Sequence, residues 1–166
     1  QNWHPPVRNE KELADFLKYV FGIILPNKRF CESHSTPFKA FCDAYFAKSP
    51  VSVWKASRGF GGKSFTLALL GLTEMIMLKA DVSILGGSGE QSQRVHEHVV
   101  KFWNHHNAPR HLLAGDPIKR ETKTIWGNQI EALMASQASV RGPHPQRLRL
   151  DEIDEMDLDI LDAAMG

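Results

Sequence analysis

Ser57-Arg58-Gly59-Phe60-Gly61-Gly62-Lys63-Ser64 lies between a short apolar run, Val51-Ser52-Val53-Trp54, and a long one from Phe65 to Leu78. A glycine-rich turn that ends in Gly-Lys-Ser, set between a strand-length and a helix-length apolar run, has the layout of a phosphate-binding loop. The usual pattern opens on glycine, and here Ser57 holds that place. Gly59, Gly61 and Gly62 give the backbone access to positive φ, so that successive N–H groups turn inward on a polyphosphate. The following helix adds its positive end. On this reading Lys63 neutralises β- and γ-phosphate oxygens, and the Ser64 hydroxyl takes one position in the oxygen octahedron of Mg²⁺. Ser57, Arg58 and Phe60 complete the cradle. A plain flexible glycine turn is the competing reading, and it gives no reason for Gly-Lys-Ser at a strand-to-helix junction.

A second stretch bears on the first. Arg147-Leu148-Arg149-Leu150-Asp151-Glu152 is an apolar-leaning strand ending in adjacent acids. The partner of a phosphate-binding loop needs this ending: one acid holds the Mg²⁺ shell and the next orients or deprotonates a water. Asp151 takes the first role and Glu152 the second. Upstream, Ser139-Val140-Arg141-Gly142-Pro143-His144-Pro145 is a short, stiff segment carrying one cation. Held there, Arg141 can reach the γ-phosphate of a neighbouring subunit, as arginine fingers do, with a plain turn and a solvated arginine as the alternative.

The bulk composition sets bounds without naming a function. The chain has 166 residues, 42% hydrophobic and 23% charged, which suits one ordinary globular domain. A net charge of +1 neither requires nor excludes nucleic acid. Cys31 and Cys42 are too few for a disulfide scaffold, so a reducing, intracellular setting is expected. Phe65 to Leu78 is too short and too interrupted to span a bilayer, so no membrane partner is expected. The absence of an initial methionine and the helical pattern at Ala163-Ala164-Met165-Gly166 suggest a piece of a larger protein.

Along the chain, Asn9 with Glu12 predicts a helix start, and Leu13, Phe16, Leu17, Val20 and Phe21 recur at helical spacing as far as Gly22. Thr36 as cap and Pro37 in the first turn predict a second helix ending near Ser49-Pro50, with Phe38, Phe41, Cys42 and Tyr45 on one side. The helical face that carries Cys42, and the lack of a fourth ligand, make Cys31, His34 and Cys42 a poor zinc set. His105-His106 is expected as a surface pair at a helix end.

After the glycine loop, the pattern predicts a helix from Ser64 to about Lys79, apolar nearly all round, and a buried strand from Asp81 to Gly86. A further helix is expected after Ser88 and Gln91, with Val95, Val99 and Phe102 inward. Such alternation predicts parallel pairing. Thr122 to Trp126 and Gln129 to Met134 flank Gly127-Asn128, a two-residue hairpin signal, so an antiparallel ribbon is expected to interrupt the alternation. Lys119, Arg120 and Lys123 lead into it as candidate contacts to DNA phosphates, with a solvated loop as the alternative. Asp154, Glu155, Asp157, Asp159 and Asp162 are expected on the polar face of a terminal helix capped by Asp157.

Taken together, the glycine loop, Val140-Arg141-Gly142-Pro143 and Leu148-Arg149-Leu150-Asp151-Glu152 resemble the ATPase domain of the large terminase subunit of tailed bacteriophages, over about Thr36 to Glu155. The resemblance implies an α/β fold, a P-loop NTPase of the additional-strand, catalytic-glutamate type. Such a fold has a mainly parallel central sheet flanked by helices, here with a β-hairpin insertion. It implies one ATPase domain over 1–166, in which 1–49 is a helical segment contributing to the nucleotide site and 50–166 is the core. ATP and Mg²⁺ are the implied cofactors. The implied partners are double-stranded viral DNA, the portal protein of the procapsid, a small terminase subunit and further copies of the chain in a ring, in the host cell cytoplasm. Arg141 matches the position of a finger acting across subunits, and Arg58 matches an arginine that many terminases carry inside the loop.

The family's adenine-contacting segment is expected near Phe30 to Phe41, where this chain has no glutamine. A coupling motif, a lid and a nuclease domain follow the catalytic glutamate in large terminases, and none fits between Met156 and Gly166. ATP binding is therefore expected of this chain, and nuclease activity is not. Asp151-Glu152-Ile153-Asp154 also resembles the acidic box of superfamily 2 helicases and translocases. A third reading is a module that binds ATP without hydrolysing it and so orders an assembly surface.

Overall fold

The computed structural model describes residues 7–29, 32–33, 35–48, 62–86, 89–134 and 147–151. Helix α1, Glu10–Phe21, starts where Asn9 predicts: Asn9 Oδ1 accepts from the Glu12 N–H at 2.9 Å, and its Nδ2 donates to Glu12 Oε1 at 2.8 Å. It ends at Gly22, whose φ of 68° closes the helix in the left-handed region that glycine adopts without strain. Helix α2, Pro37–Tyr45, is capped by Thr36 Oγ1, which accepts from the Lys39 N–H at 3.0 Å. It stops before the expected Ser49-Pro50, and Ala47, with φ 50°, turns the chain away.

Helix α3, Lys63–Met77, leads to strand β1, Val82–Gly86, and then to helix α4, Gly89–Trp103. A short 3-10 turn, Arg110–Leu112, precedes strands β2, Glu121–Lys123, and β3, Gln129–Met134, and strand β4, Arg147–Asp151, comes last. The sheet order is β2-β3-β1-β4. β1 pairs in parallel with β3 and with β4, while β2 pairs antiparallel with β3. The arrangement is α/β with a mixed sheet. The expected first strand at Val51-Trp54, the Ser88 cap and the terminal helix lie outside the described residues.

α3 is buried on every side from Thr66 to Ile76, as its nearly continuous apolar run predicts. Its close approach to the sheet depends on Gly71, where a Cβ would stand 3.3 Å from Val82 Cγ1 and 3.8 Å from Ile130 Cδ1. Phe65 in the first turn meets Phe102 and His98 of α4 edge-on at 5.0 and 5.8 Å, and Phe21 of α1 reaches Phe102 at 5.8 Å. These rings join the N-terminal helices to the layer over the sheet in one apolar core. No helix among the described residues is long and apolar enough to cross a membrane.

The hairpin differs from expectation in two ways. Its turn is Ile125-Trp126-Gly127, closed by the Thr124 N–H to Asn128 O at 2.9 Å and the Gly127 N–H to Thr124 O at 3.1 Å. Gly127 has φ 92°, as in a three-residue turn completed by a bulge, so the predicted two-residue Gly127-Asn128 turn is corrected. The ribbon is also no insertion beside the sheet, because β3 is a central strand paired with β1 from Val82↔Ile130 to Gly86↔Met134. Its apolar run, with Ile130 and Ala132 fully buried, gains more from burial in the sheet than from standing in solvent.

Candidate functional site

Of the residues singled out for phosphate and metal, the structure describes Gly62, Lys63, Ser64 and the backbone of Asp151. Ser57, Arg58, Gly59, Phe60, Gly61, Arg141 and Glu152 lie outside the described residues. Gly62 is the N-cap of α3 with φ 51° and ψ 41°, in the left-handed region, and as glycine it makes no side-chain cap bond. A helix start leaves its first N–H groups without intrahelical acceptors and carries a partial positive charge. Here Gly62 O accepts from Thr66 at 2.8 Å, so the ladder begins at once. Half-buried Lys63 and Ser64 occupy the first two helical positions.

At the other end of the motif pair, Asp151 closes β4 opposite Gly86 at the carboxyl end of β1. Loops after the carboxyl ends of parallel strands are where α/β sheets place ligands. α3 is tied to this strand. The Glu74 side chain, 0% exposed, accepts from Arg149 Nε at 2.9 Å on one oxygen and from the Arg149 terminal nitrogen on the other. Arg147 Nε stands 3.2 Å from the same carboxylate. Burial pushes the Glu74 carboxyl above the ordinary carboxylate range, against the pull of Arg149 and then Arg147. Tyr45 of α2 lies within the same field, its phenol pushed up to about 12 by burial and by Glu74.

The donor set suits a nucleotide with its metal. A glycine N-cap without a competing side chain, a lysine and a serine at a helix start fit a phosphate. A serine hydroxyl and an aspartate are hard oxygen ligands, of the kind that bind Mg²⁺ alongside phosphate oxygens. Among the described residues no group of three His, Cys, Asp or Glu side chains forms a metal cage. Cys42 is buried and its thiol is pushed up to about 12, chiefly by burial, as befits a packing residue. His105 and His106 follow α4, with ring centroids 4.3 Å apart.

The candidate DNA contacts are spread over the ribbon's approach. Lys119 and Lys123 are exposed and Arg120 is half-buried. Lys123 Nζ lies 3.0 Å from Glu121 Oε1, which offsets its charge. Lys119 borders an open groove of about 410 Å³ between α4 and residues 117–119, shared with Gln93, His96, Lys101 and Ile118. His96, 1% exposed, holds the wall of that groove: its Nε2 is 2.9 Å from Thr122 Oγ1. Burial holds its pKa below the usual imidazole value, against a hydrogen bond to the Lys119 backbone and the nearby Glu121 and Glu97.

Sequence reasoning missed Glu74, Arg147, Arg149 and Asn128. The first three carried a signal, a lone acid in an apolar helix and two arginines at strand alternation. Asn128, taken for a turn residue, is 8% exposed and donates from Nδ2 to Met75 O at 2.9 Å and Ala80 O at 3.0 Å, clamping the end of α3 to the hairpin. Comparison of the chain with models of protein families, with curated proteins and with solved structures finds no match.

Proposed function

We propose that the chain is the ATP-hydrolysing motor domain of a viral large terminase, which drives double-stranded DNA into a preformed capsid. One observation carries the reading. A helix that opens on Gly62-Lys63-Ser64 with a left-handed glycine cap is bound by an ion pair, Glu74 with Arg149, to a strand that ends in Asp151, immediately before Glu152. That pair ties the helix start proposed for the phosphates to the strand end proposed for the metal, which supports the reading.

Bound Mg-ATP supplies a γ-phosphoryl group for transfer to water. In this proposal Lys63 offsets charge on the β- and γ-phosphates, while Ser64 and Asp151 hold the Mg²⁺. Glu152 holds the water and takes its proton. Arg141 completes the site from a neighbouring copy, and Arg58 is the alternative within the chain. An arginine finger contributes about 10³- to 10⁵-fold in rate, so an isolated copy is a slow ATPase. Assembly into a ring is then part of catalysis. Portal protein and a small terminase subunit are the proposed partners, and Lys119, Arg120 and Lys123 are the proposed DNA contacts.

Glu152→Gln tests the assignment. It should retain Mg-ATP binding and lose about 10²-fold or more in phosphate release, while Lys63→Ala loses binding. Unchanged turnover in Glu152→Gln removes Glu152 from the mechanism. Strand separation by the protein favours the helicase reading suggested by Asp151-Glu152-Ile153-Asp154. Binding without turnover in the assembled ring favours an assembly module.

A further inference from the structure

We infer that Glu74 and Arg149 are positioning residues, and that the ion pair between the buried carboxylate and the half-buried guanidinium sets the register of β4 against α3 and so fixes where Asp151 stands relative to Ser64. The inference rests on the proposed nucleotide site and adds two residues that touch neither nucleotide nor metal.

Glu74 lies ten residues beyond Ser64 on one helix, about 15 Å along a rigid axis. Arg149 is two residues before Asp151 on β4, about 7 Å along an extended strand. Their contact is therefore a fixed point between the two arms of the site. It is also directional, since a bidentate arginine–carboxylate fork admits one planar approach.

Stability does not by itself account for charges at this place, because apolar side chains of similar volume often replace a buried ion pair without loss. Register does. The hydrogen bonds between β4 and β1 are the same after a slip, whereas side chains are not. A one-residue slip turns both Arg147 and Arg149 to the opposite face and leaves Glu74 buried and unpaired. In one direction, a two-residue slip sets Asp151 against Glu74, carboxylate facing carboxylate. An apolar residue at position 149 does not discriminate against the one-residue slip, which puts Leu148 or Leu150 in its place. Arg147, at 3.2 Å from Glu74 Oε2, reinforces the observed pairing of Val82↔Arg147 and Ile84↔Arg149.

The test separates metal from nucleotide. Mn²⁺ replaces Mg²⁺, its binding is followed by electron paramagnetic resonance in the presence of a non-hydrolysable ATP analogue, and analogue binding without metal is measured separately. Arg149→Lys keeps the charge and loses the fork. It should weaken Mn²⁺ about tenfold or more and change metal-free analogue binding by less than about twofold, the scale seen when residues behind metal ligands are altered. If Arg149→Lys does not fold, Glu74→Gln, which keeps shape and both guanidiniums, is measured in the same way. Unchanged Mn²⁺ affinity in a folded variant overturns the inference, and so does an equal loss of metal and analogue binding, which marks a merely structural pair. Failure of the folded wild-type chain to bind the analogue overturns the nucleotide reading itself, irrespective of Arg149.

Discussion

The Asn128 carboxamide donates to two backbone carbonyls, Met75 O and Ala80 O, and its oxygen accepts from the Thr124 hydroxyl. Asn128→Ala removes both donors and leaves the Thr124 hydroxyl without this acceptor in a buried place, which should cost about 2–3 kcal/mol in urea-induced unfolding. A loss below about 0.5 kcal/mol contradicts this role. His96 offers a test by pH. Its folded pKa is depressed by burial, so the neutral ring contributes stability that is present above the unfolded pKa and lost as pH falls. Thermal unfolding should therefore shift downward between about pH 8 and about pH 5.5, and His96→Gln should flatten that dependence around the ordinary imidazole pKa of about 6.5. An unaltered pH profile in His96→Gln assigns the loss elsewhere.

For the elements, local rules went far. Caps at Asn9 and Thr36, the glycine stop at Gly22 and the apolar faces of α1, α2 and α4 are where short-range patterns put them. Such features depend on neighbours within four residues. The hairpin was only half legible, because Gly127-Asn128 signals a turn and says nothing of the buried carbonyls that draw the Asn128 side chain inward. The α3–β4 tie was less legible still, since Glu74 and Arg149 are 75 positions apart. Glu74→Ala should cost about 1–3 kcal/mol, as it leaves two half-buried arginines without their shared acceptor. Gly71→Val should cost about 1–3 kcal/mol by driving methyl groups into Val82 and Ile130, whereas Gly71→Ala combines a gain in helix propensity with a much smaller squeeze. Equal stability of Gly71→Val and wild type contradicts the close packing of α3 on the sheet.

At the scale of the whole molecule, the sheet order and the tie between α3 and β4 give the proposed motor a rigid centre, and completion of its site is assigned to a neighbouring copy. Arg141, the proposed finger, lies outside the described residues, and a contact between copies leaves no periodicity in one chain. The most direct test is phosphate release from Mg-ATP per chain as chain concentration rises, with Lys63→Ala as the blank. The account predicts a rate that climbs with concentration, vanishes in Lys63→Ala and falls about 10³-fold or more in Arg141→Ala. A rate independent of concentration and untouched by Arg141→Ala contradicts a site shared between copies, and a rate equal to that of Lys63→Ala contradicts the ATPase.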